Sequence, residues 1–411
     1  MGLLRRLFGR EEKASTSLEV FRELFGGRLS RSGVTVNAST ALDVTTVLAC
    51  LRVRAEGIAQ VPWRVYRDVN GRRSIATEHP LHRLLYRRPN PWQTSFEFRE
   101  TISFHTDLAG YAVCFVNRVG SRRDIREIIP FEPHRVTVER KPDMSLTYKV
   151  QGDSGDVQEF PPDAIWHLRG PSWNSWQGLD ILAKARDAIG LAIALEQGQS
   201  DFQKNGSKTS GMYSVKEKLS PEKYALLRKW FDEEIAKGDA YRPLILDQDA
   251  HYTPFTMTGV DAQLLETRRH QVEEICRVFR VMPIMIGQSD KATTYASAEQ
   301  MFLAHVVHTL MPAYERIEQS ADVNLLSEDD IAAGYYTKFT PNALMRGAAK
   351  DRGEFYAKAL GSGGSKGWMT QNDVRQLEDL DRSDDPEADK LAQPPGQTPP
   401  ADPPADPPPA A

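Results

Sequence analysis

Residues 111–168 run mostly in short stretches that alternate apolar and polar residues, and directly on either side the apolar spacing changes to that of helices. A period of two lines one face of a sheet, whereas a period near 3.6 draws a stripe along a helix. The stretches YAVCFVNRV, DIREIIPF, HRVTVER, LTYKVQG and AIWHLR are parted by Gly-Ser, Pro-Asp and Asp-Ser-Gly turns. Strands grouped in one block, with helices before and after, specify an α+β fold in which sheets and helices cluster separately. At 411 residues the chain can bury a large core and form two or three domains.

Ahead of the block, residues 41–60 have helical periodicity through Val44, Val47, Leu48, Leu51 and Ala55, with Asn37, Ser39 or Thr40 as the cap. VPWRVYRD then alternates as a strand, Asn70-Gly71 marks a hairpin turn, and residues 94–108 return to helix. His79 and His82 flank Pro80 in what reads as a loop.

After the block helices dominate. Residues 179–204 form a long helix rich in Ala183, Ala185, Ala188, Gly190, Ala192, Ala194 and Gly198. Such small side chains permit close packing within one chain or between subunits. A small α/β insert occupies 206–258: strand GMYSV, a helix from Ser220-Pro221 through Lys237, and strands RPLILD and HYTPFTM. Lys216, Lys218, Lys223 and Lys229 lie on it.

Residues 261–280 predict a helix about 30 Å long, with an apolar stripe of Leu264, Leu265, Val272, Ile275 and Phe279. Arg269, Glu273 and Arg277 form an i,i+4 charge ladder on another face, beside Arg268. Pro283 stops the helix, and the polar loop GQSDKATTYA leads to another, with Ser297 and Gln300 as a capping box. Phe302, Val306, Leu310, Tyr314 and Ile317 keep helical register there, and Pro312 predicts a kink. A glycine-rich break, GSGGSKG at 361–367, separates a last helical pair from the rest. From Asp384 the chain is acidic and then proline-saturated, which predicts a disordered tail.

Composition and motifs exclude several classes. The longest apolar run, AIGLAIAL, is far short of the eighteen or so residues a membrane span needs. The basic, apolar start MGLLRRLFGR, broken by Gly9 and EEK, reads as an amphipathic arm rather than a signal peptide. Cys50, Cys114 and Cys276 are scattered and form no metal or disulfide framework, which suits a reducing cytoplasm. GSGGSKG lacks the G-K-[ST] of a phosphate loop, and GSKTSG is no nucleophile elbow. His305 and His308 have no local carboxylate or cysteine to complete a metal shell, and the paired acids sit side by side on helices without converging. No catalytic residue, metal site or cofactor is expected.

The blocks HPLHRLLYRRPNPWQTSFEFRE, IIPFEPHRVTVER, DFQKNGSKTSGMYS, DAQLLETRRHQVEEICRVFRV, NALMRGAAKDRGEFY and GWMTQNDVRQLEDL resemble, in this order, tailed-phage portal proteins of the HK97 type across about residues 35–382. One departure stands out. The family usually carries a glycine and a proline pair after the position of Phe279, where this chain reads Arg280-Val281-Met282-Pro283.

The resemblance implies the portal fold: a mixed α/β wing, a two-helix stem, a small α/β clip, a long kinked helix and a short helical crown. The expected boundaries are a flexible arm at 1–34, wing at 35–178, stem helices at 179–205 and 259–282, clip at 206–258, tunnel loop at 283–297, the wing's long helix at 298–340, crown at 341–382 and tail at 383–411. It further implies a homo-oligomeric ring, usually a dodecamer, at one capsid vertex of a virion, assembled in the host cytoplasm. Double-stranded DNA would pass through it. The terminase large subunit and then a head–tail adaptor would dock, and the major capsid protein would surround it. Implied positions are Gln288, Ser289, Asp290, Lys291, Thr293, Thr294 and Tyr295 at the channel, Arg268, Arg269, Glu273 and Arg277 in the stem, and the four lysines in the clip.

Charge suits a conduit. Basic contacts to DNA make binding tight and salt-dependent, and twelve copies at −4 would carry −48. The competing expectations are a nucleic-acid-processing enzyme with a dispersed site, told apart by a nuclease or ATPase assay, and a monomeric scaffold, told apart by particle mass.

Overall fold

The structure, a computed structural model, describes residues 28–69, 71–120, 123–204, 211–214, 220–236, 251–254, 260–288, 295–341, 349–362, 366–378 and 382–392. A short hairpin of β1 (Arg28–Leu29) and β2 (Thr35–Val36) leads into α1 (Ala38–Leu42) and α2 (Thr45–Ala59). Asn37 closes a reciprocal cap with Thr40: its Oδ1 accepts from the Thr40 amide at 2.8 Å, and the Thr40 hydroxyl accepts from the Asn37 amide at 2.9 Å. Strands β3 (Trp63–Val69) and β4 (Arg72–Ile75) follow.

The stretch around Pro80, expected as loop, is a helix, α3 (Pro80–Tyr86). His79 caps it through Nδ1, which accepts from the Leu81 amide at 3.2 Å, and Pro80 occupies the first turn, where its missing N–H costs nothing. His82 is buried, and its Nδ1 accepts from the Val65 amide at 3.4 Å. Helix α4 (Ser95–Ala109) opens on a Thr94–Glu97 capping box and ends at left-handed Gly110.

Strands β5 (Tyr111–Val119), β6 (Asp124–Phe131), β7 (Val136–Arg140), β8 (Leu146–Gln151), β9 (Val157–Phe160) and β10 (Ile165–Arg169) form two antiparallel sheets, ordered β10-β5-β6 and β7-β8-β9. Helix α5 (Ile181–Lys204) comes next, then β11 (Gly211–Ser214), α6 (Pro221–Ala236), β12 (His251–Pro254) and α7 (Val260–Phe279). β11 and β12 pair antiparallel, closing the insert between the two long helices. Its RPLILD stretch lies outside the described residues. Helix α8 (Tyr295–His305), a π turn (Val306–Leu310) and α9 (Met311–Leu325) make one long helical run. The described part of the run begins at Tyr295 and already includes Ser297. After α10 (Glu328–Ala332), β13 (Tyr335–Phe339) returns to pair with β3, giving a third three-stranded sheet ordered β13-β3-β4.

Several hydrophobic clusters among the described residues hold these elements. Val47 and Leu51 of α2 pack with Ile189 of α5 and with Ile275 and Phe279 of α7. Among the sheets Val113, Phe131, Val136, Tyr148, Val150 and Phe160 form a second cluster. Buried Trp63 stacks on Phe339 at 5.1 Å, and Trp166 donates from Nε1 to Ser320 Oγ at 2.9 Å, tying sheets to α9. The mixed α+β class read from the strand block is the class observed.

A second compact unit begins at Thr340 and contains α11 (Ala349–Ala359) and α12 (Gln371–Leu377). Order within it passes the 383 boundary inferred from composition. The Asn372 amide donates to Ser383 O and Asp389 Oδ1 at 3.2 and 2.9 Å, Asn372 Oδ1 accepts from the Ser383 amide at 2.8 Å, and Ala388 is fully buried. The acidic residues find specific donors there. The proline-rich tail at 393–411 and the arm at 1–27 lie outside the described residues.

Candidate functional site

The long helices α5 and α7 pack side by side over only part of their length. Ile189, Ile275 and Phe279 are buried, whereas every described side chain from Leu265 to His270 is exposed. Gln271 donates to Ala188 O, and Arg268 donates to Gln199 Oε1 at 2.7 Å, so polar contacts continue the pairing where apolar ones run out. Leu265, expected in the buried stripe, is 66% exposed, and Leu191 on α5 is 41% exposed.

Arg268, Arg269, Glu273 and Arg277 all face outward on α7. They do not form the expected ladder. Arg277 pairs with Glu274 one turn back, and Arg269 and Glu273 make no ion pair among the described residues. Exposed i,i+3 and i,i+4 geometries differ by only tenths of a kcal/mol, so sequence spacing could not choose between them. Lys223 and Lys229 are exposed on α6, while Lys216 and Lys218 lie outside the described residues.

A buried clamp fixes the end of α7. Arg54 on α2 donates from Nε and Nη2 to Asp107 on α4 at 2.8 and 2.7 Å, and from Nη1 to Phe279 O at 2.9 Å. A cation thus meets the carbonyl end of the helix, where the backbone dipole favours it. Asp107 is 4% exposed. Neither residue was singled out in the sequence; the one local hint was an arginine amid the apolar positions of residues 41–60. Close by, Cys50 and Cys276 place their sulfurs 3.8 Å apart, both buried.

The chain leaves α7 through Arg280 in the left-handed conformation, φ 56°. The Val281 amide reaches back to Cys276 O at 2.9 Å, and Thr309 Oγ1 donates to Arg280 O at 2.7 Å. A left-handed residue just past a helix end is ordinarily glycine. The departure at Arg280-Val281 therefore keeps a glycine-type backbone with a side chain on it. Arg280→Gly is expected to stabilise the fold by up to about 1 kcal/mol, measured by chemical denaturation; a destabilised variant would mean the arginine side chain is needed in place.

Past Pro283 a 3-10 turn (Pro283–Ile286) ends at left-handed Gly287, and the Gln288 amide bonds Pro283 O at 3.0 Å. Ser289, Asp290, Lys291, Thr293 and Thr294 lie outside the described residues, and Tyr295 begins α8. Further along, the run does not break at Pro312. It widens into the π turn directly before, with the Met311 amide bonded to Val306 O, which absorbs the backbone group a proline cannot supply. Gly57 lets α2 come close: a Cβ there would meet Leu310 at 3.0 Å, and Tyr314 donates to Gly57 O at 2.7 Å. Val306, Leu310, Tyr314 and Ile317 are buried as the register predicts, but Phe302 is 37% exposed. Leu303, Val307 and Met311, four residues apart, form an outward apolar row, 44–48% exposed.

The histidines divide: His305 is buried with neither ring nitrogen hydrogen-bonded, and His308 is exposed. Among the described residues no group of three His, Cys, Asp or Glu could hold a metal ion, and no helix is long and apolar enough to cross a membrane.

An ion pair between α2 and α4 fixed to the end of α7, an apolar row facing outward and a small module carried between two long helices suit a structural subunit that meets other surfaces. The family model described as phage portal protein matches residues 45–379. The portal protein of Enterobacteria phage HK97 is 30% identical over 349 residues, covering 84% of this chain and 80% of that one. The probable portal protein of Streptomyces phage phiC31 is 29% identical, covering 86% and 78%. Among solved structures, a chain from the neck of an empty gene transfer agent particle superposes with a TM-score of 0.60 at 24% identity, covering 84% and 93%. An HK97-family portal protein from Corynebacterium diphtheriae superposes at 0.57 with 16% identity, covering 76% and 97%. The chain belongs to the phage portal protein family, whose members are structural head–tail connectors and not enzymes.

Proposed function

We propose that this chain assembles into a closed ring of about twelve subunits through which double-stranded DNA enters and leaves the particle head. In this reading α5 and α7 form the stem, the module between them is the clip, and residues 283–297 form the tunnel loop. The clip receives the terminase large subunit during packaging and a head–tail adaptor afterwards. The wing, 35–178 and 298–340, lies within the shell of major capsid protein, and 341–382 form the crown. Support comes from family membership, from the likeness to a chain of a gene transfer agent neck, and from the charge balance of the sequence.

The observation that carries the ring is the row Leu303, Val307 and Met311, with Leu265 and Leu191 exposed on the stem helices. One helix burying one apolar row and displaying another is a surface waiting for a partner, and a head-to-tail contact between identical chains must close into a ring or extend as a filament. By sedimentation the protein is expected at roughly twelve times the 46.2 kDa chain mass. The paired change Leu303→Glu with Val307→Glu is expected to return it to smaller species that keep wild-type circular dichroism, since both positions are open to solvent within one chain. Their melting temperature is expected to fall by what assembly contributes. A wild-type profile holding only the 46.2 kDa species across concentrations and salts would overturn the reading.

A further inference from the structure

Between α3 and α4 the chain turns through Arg87-Arg88-Pro89-Asn90-Pro91-Trp92-Gln93-Thr94, and the turn is braced throughout. Asn90 Oδ1 accepts from the Trp92 and Gln93 amides at 3.2 and 2.9 Å. Its Nδ2 donates to Ile128 O and to Gln93 Oε1 at 3.0 and 2.8 Å. The Ile128 amide answers by donating to Pro89 O, and the Ser95 amide donates to Arg87 O, both at 2.9 Å. Asn90 is 3% exposed, so the brace is part of the core rather than a surface ornament.

The braced turn holds open a cleft of about 500 Å³ lined by Arg83, Arg87, Arg88, Trp92, Gln93 and Thr94. Arg88 is committed to the turn itself, donating from Nε to Asn90 O at 3.3 Å and from Nη2 to Pro91 O. Arg83 and Arg87 are exposed and form no ion pair or side-chain hydrogen bond among the described residues. Trp92 is 62% exposed, although nothing in its rigid setting requires an indole. The carboxylate of Glu97 is engaged elsewhere, accepting from the Thr94 amide and hydroxyl at 2.7 and 2.9 Å. Two guanidinium forks therefore stand beside a bare aromatic face on a scaffold that does not have to be ordered on binding.

We infer that this cleft binds single-stranded nucleic acid, with Arg83 and Arg87 on backbone phosphates and Trp92 stacked on a base. Planar guanidinium groups match phosphate oxygens two at a time. An exposed indole gains from any base whose face is free, which is how sequence-tolerant single-strand sites work. A duplex offers the phosphates but hides its base faces. An acidic peptide satisfies the forks but leaves the indole without a partner. The site lies within one chain, on elements separate from the stem helices and the tunnel loop, so it does not rest on the ring.

The test uses full-length protein and a fluorescein-labelled oligothymidylate, read by anisotropy across a salt series, with a duplex of the same length and polyglutamate as competitors. Wild type is expected to bind the single strand more tightly than the duplex. Trp92→Ala is expected to lose roughly five- to a hundredfold in affinity with the salt slope unchanged. Arg83→Glu with Arg87→Glu is expected to lose at least about tenfold and to flatten the salt slope by about 0.7 for each phosphate contact. Sedimentation of each variant, unchanged from wild type, separates this result from any failure of assembly. The inference is overturned by no binding to wild type, by wild-type affinity in both variants, by preference for the duplex, or by polyglutamate competing as well as the oligonucleotide.

Discussion

Asp107→Ala is expected to cost about 3–5 kcal/mol, the range for removing one partner of a buried ion pair, and to lower the melting temperature of the unit that holds it by roughly 4–7 °C. The loss has two sources. Arg54 keeps its bond to Phe279 O but gives up both bonds to carboxylate oxygens in a site where it is only 15% exposed at the side chain. Arg54 then faces other cations without a counter-charge. Partial burial and the Arg54 charge draw the Arg316 pKa down, Asp107 opposes them, and Arg280 adds to the repulsion. Asp107→Asn, which keeps the shape and one acceptor, is expected to fall between wild type and alanine. Replacing both partners by apolar residues of similar volume, Arg54→Met with Asp107→Leu, is expected to recover much of the loss, because no charge is then left buried alone. The paired variant alone also loses the Arg54 bond to Phe279 O, so proteolysis near Arg280 is expected to accelerate most there. Differential scanning calorimetry showing Asp107→Ala within a degree of wild type would remove the clamp from the account.

That clamp also marks where sequence reading stops. Strands β5 to β8 and β10 were legible because a period of two survives whatever they pack against, and α7 because its breaker, Pro283, stands just past its end. Strand β9 was missed: VQEF is a short run beside a turn and has one buried residue, Phe160. Helix α3 was missed because a proline between two histidines reads as punctuation, when Pro80 was the first residue of a helix and His79 its cap. No local pattern could pair Arg54 with Asp107, 53 residues away, or Cys50 with Cys276, 226 away. Pro312 announced a disturbance, and the run carries a π turn directly before it, beside the close approach of α2 at Gly57. The family was legible from ordered blocks, whereas the outward rows became visible only when exposure could be assigned residue by residue.

Acid is expected to destabilise the first compact unit steeply, and histidines supply much of the slope. His167 is 5% exposed, held between the Tyr111 and Tyr148 rings with Nδ1 on the Tyr148 hydroxyl at 3.2 Å and Nε2 unpartnered; burial and then Arg169 push its pKa down to about 3. His105, with Nδ1 buried and unpartnered, is lowered to about 4 by burial and then by His134. His305, 2% exposed, is lowered to about 4 by burial and then by Arg54. Each folded pKa lies below the unfolded value near 6.5, so the unfolded chain takes up the proton first as pH falls. The contribution of these groups is complete above pH 6.5 and is lost as the pH drops toward 3–4. Each is worth about 1.4 kcal/mol per pH unit within that window. Allowing for the partial exposure of His105, the three together remove roughly 3–6 kcal/mol between pH 6.5 and 4.5. Asp322 works against them, since burial raises its pKa and favours the folded state as it protonates. His305 offers the cleanest test because it makes no hydrogen bond that a replacement would forfeit. His305→Met is expected to match wild type or better it at pH 7, to exceed it at pH 5, and to reduce the dependence of unfolding free energy on pH by close to one proton. An unchanged slope in urea titrations at pH 7, 6, 5 and 4.5 would mean that His305 is not held neutral by its burial.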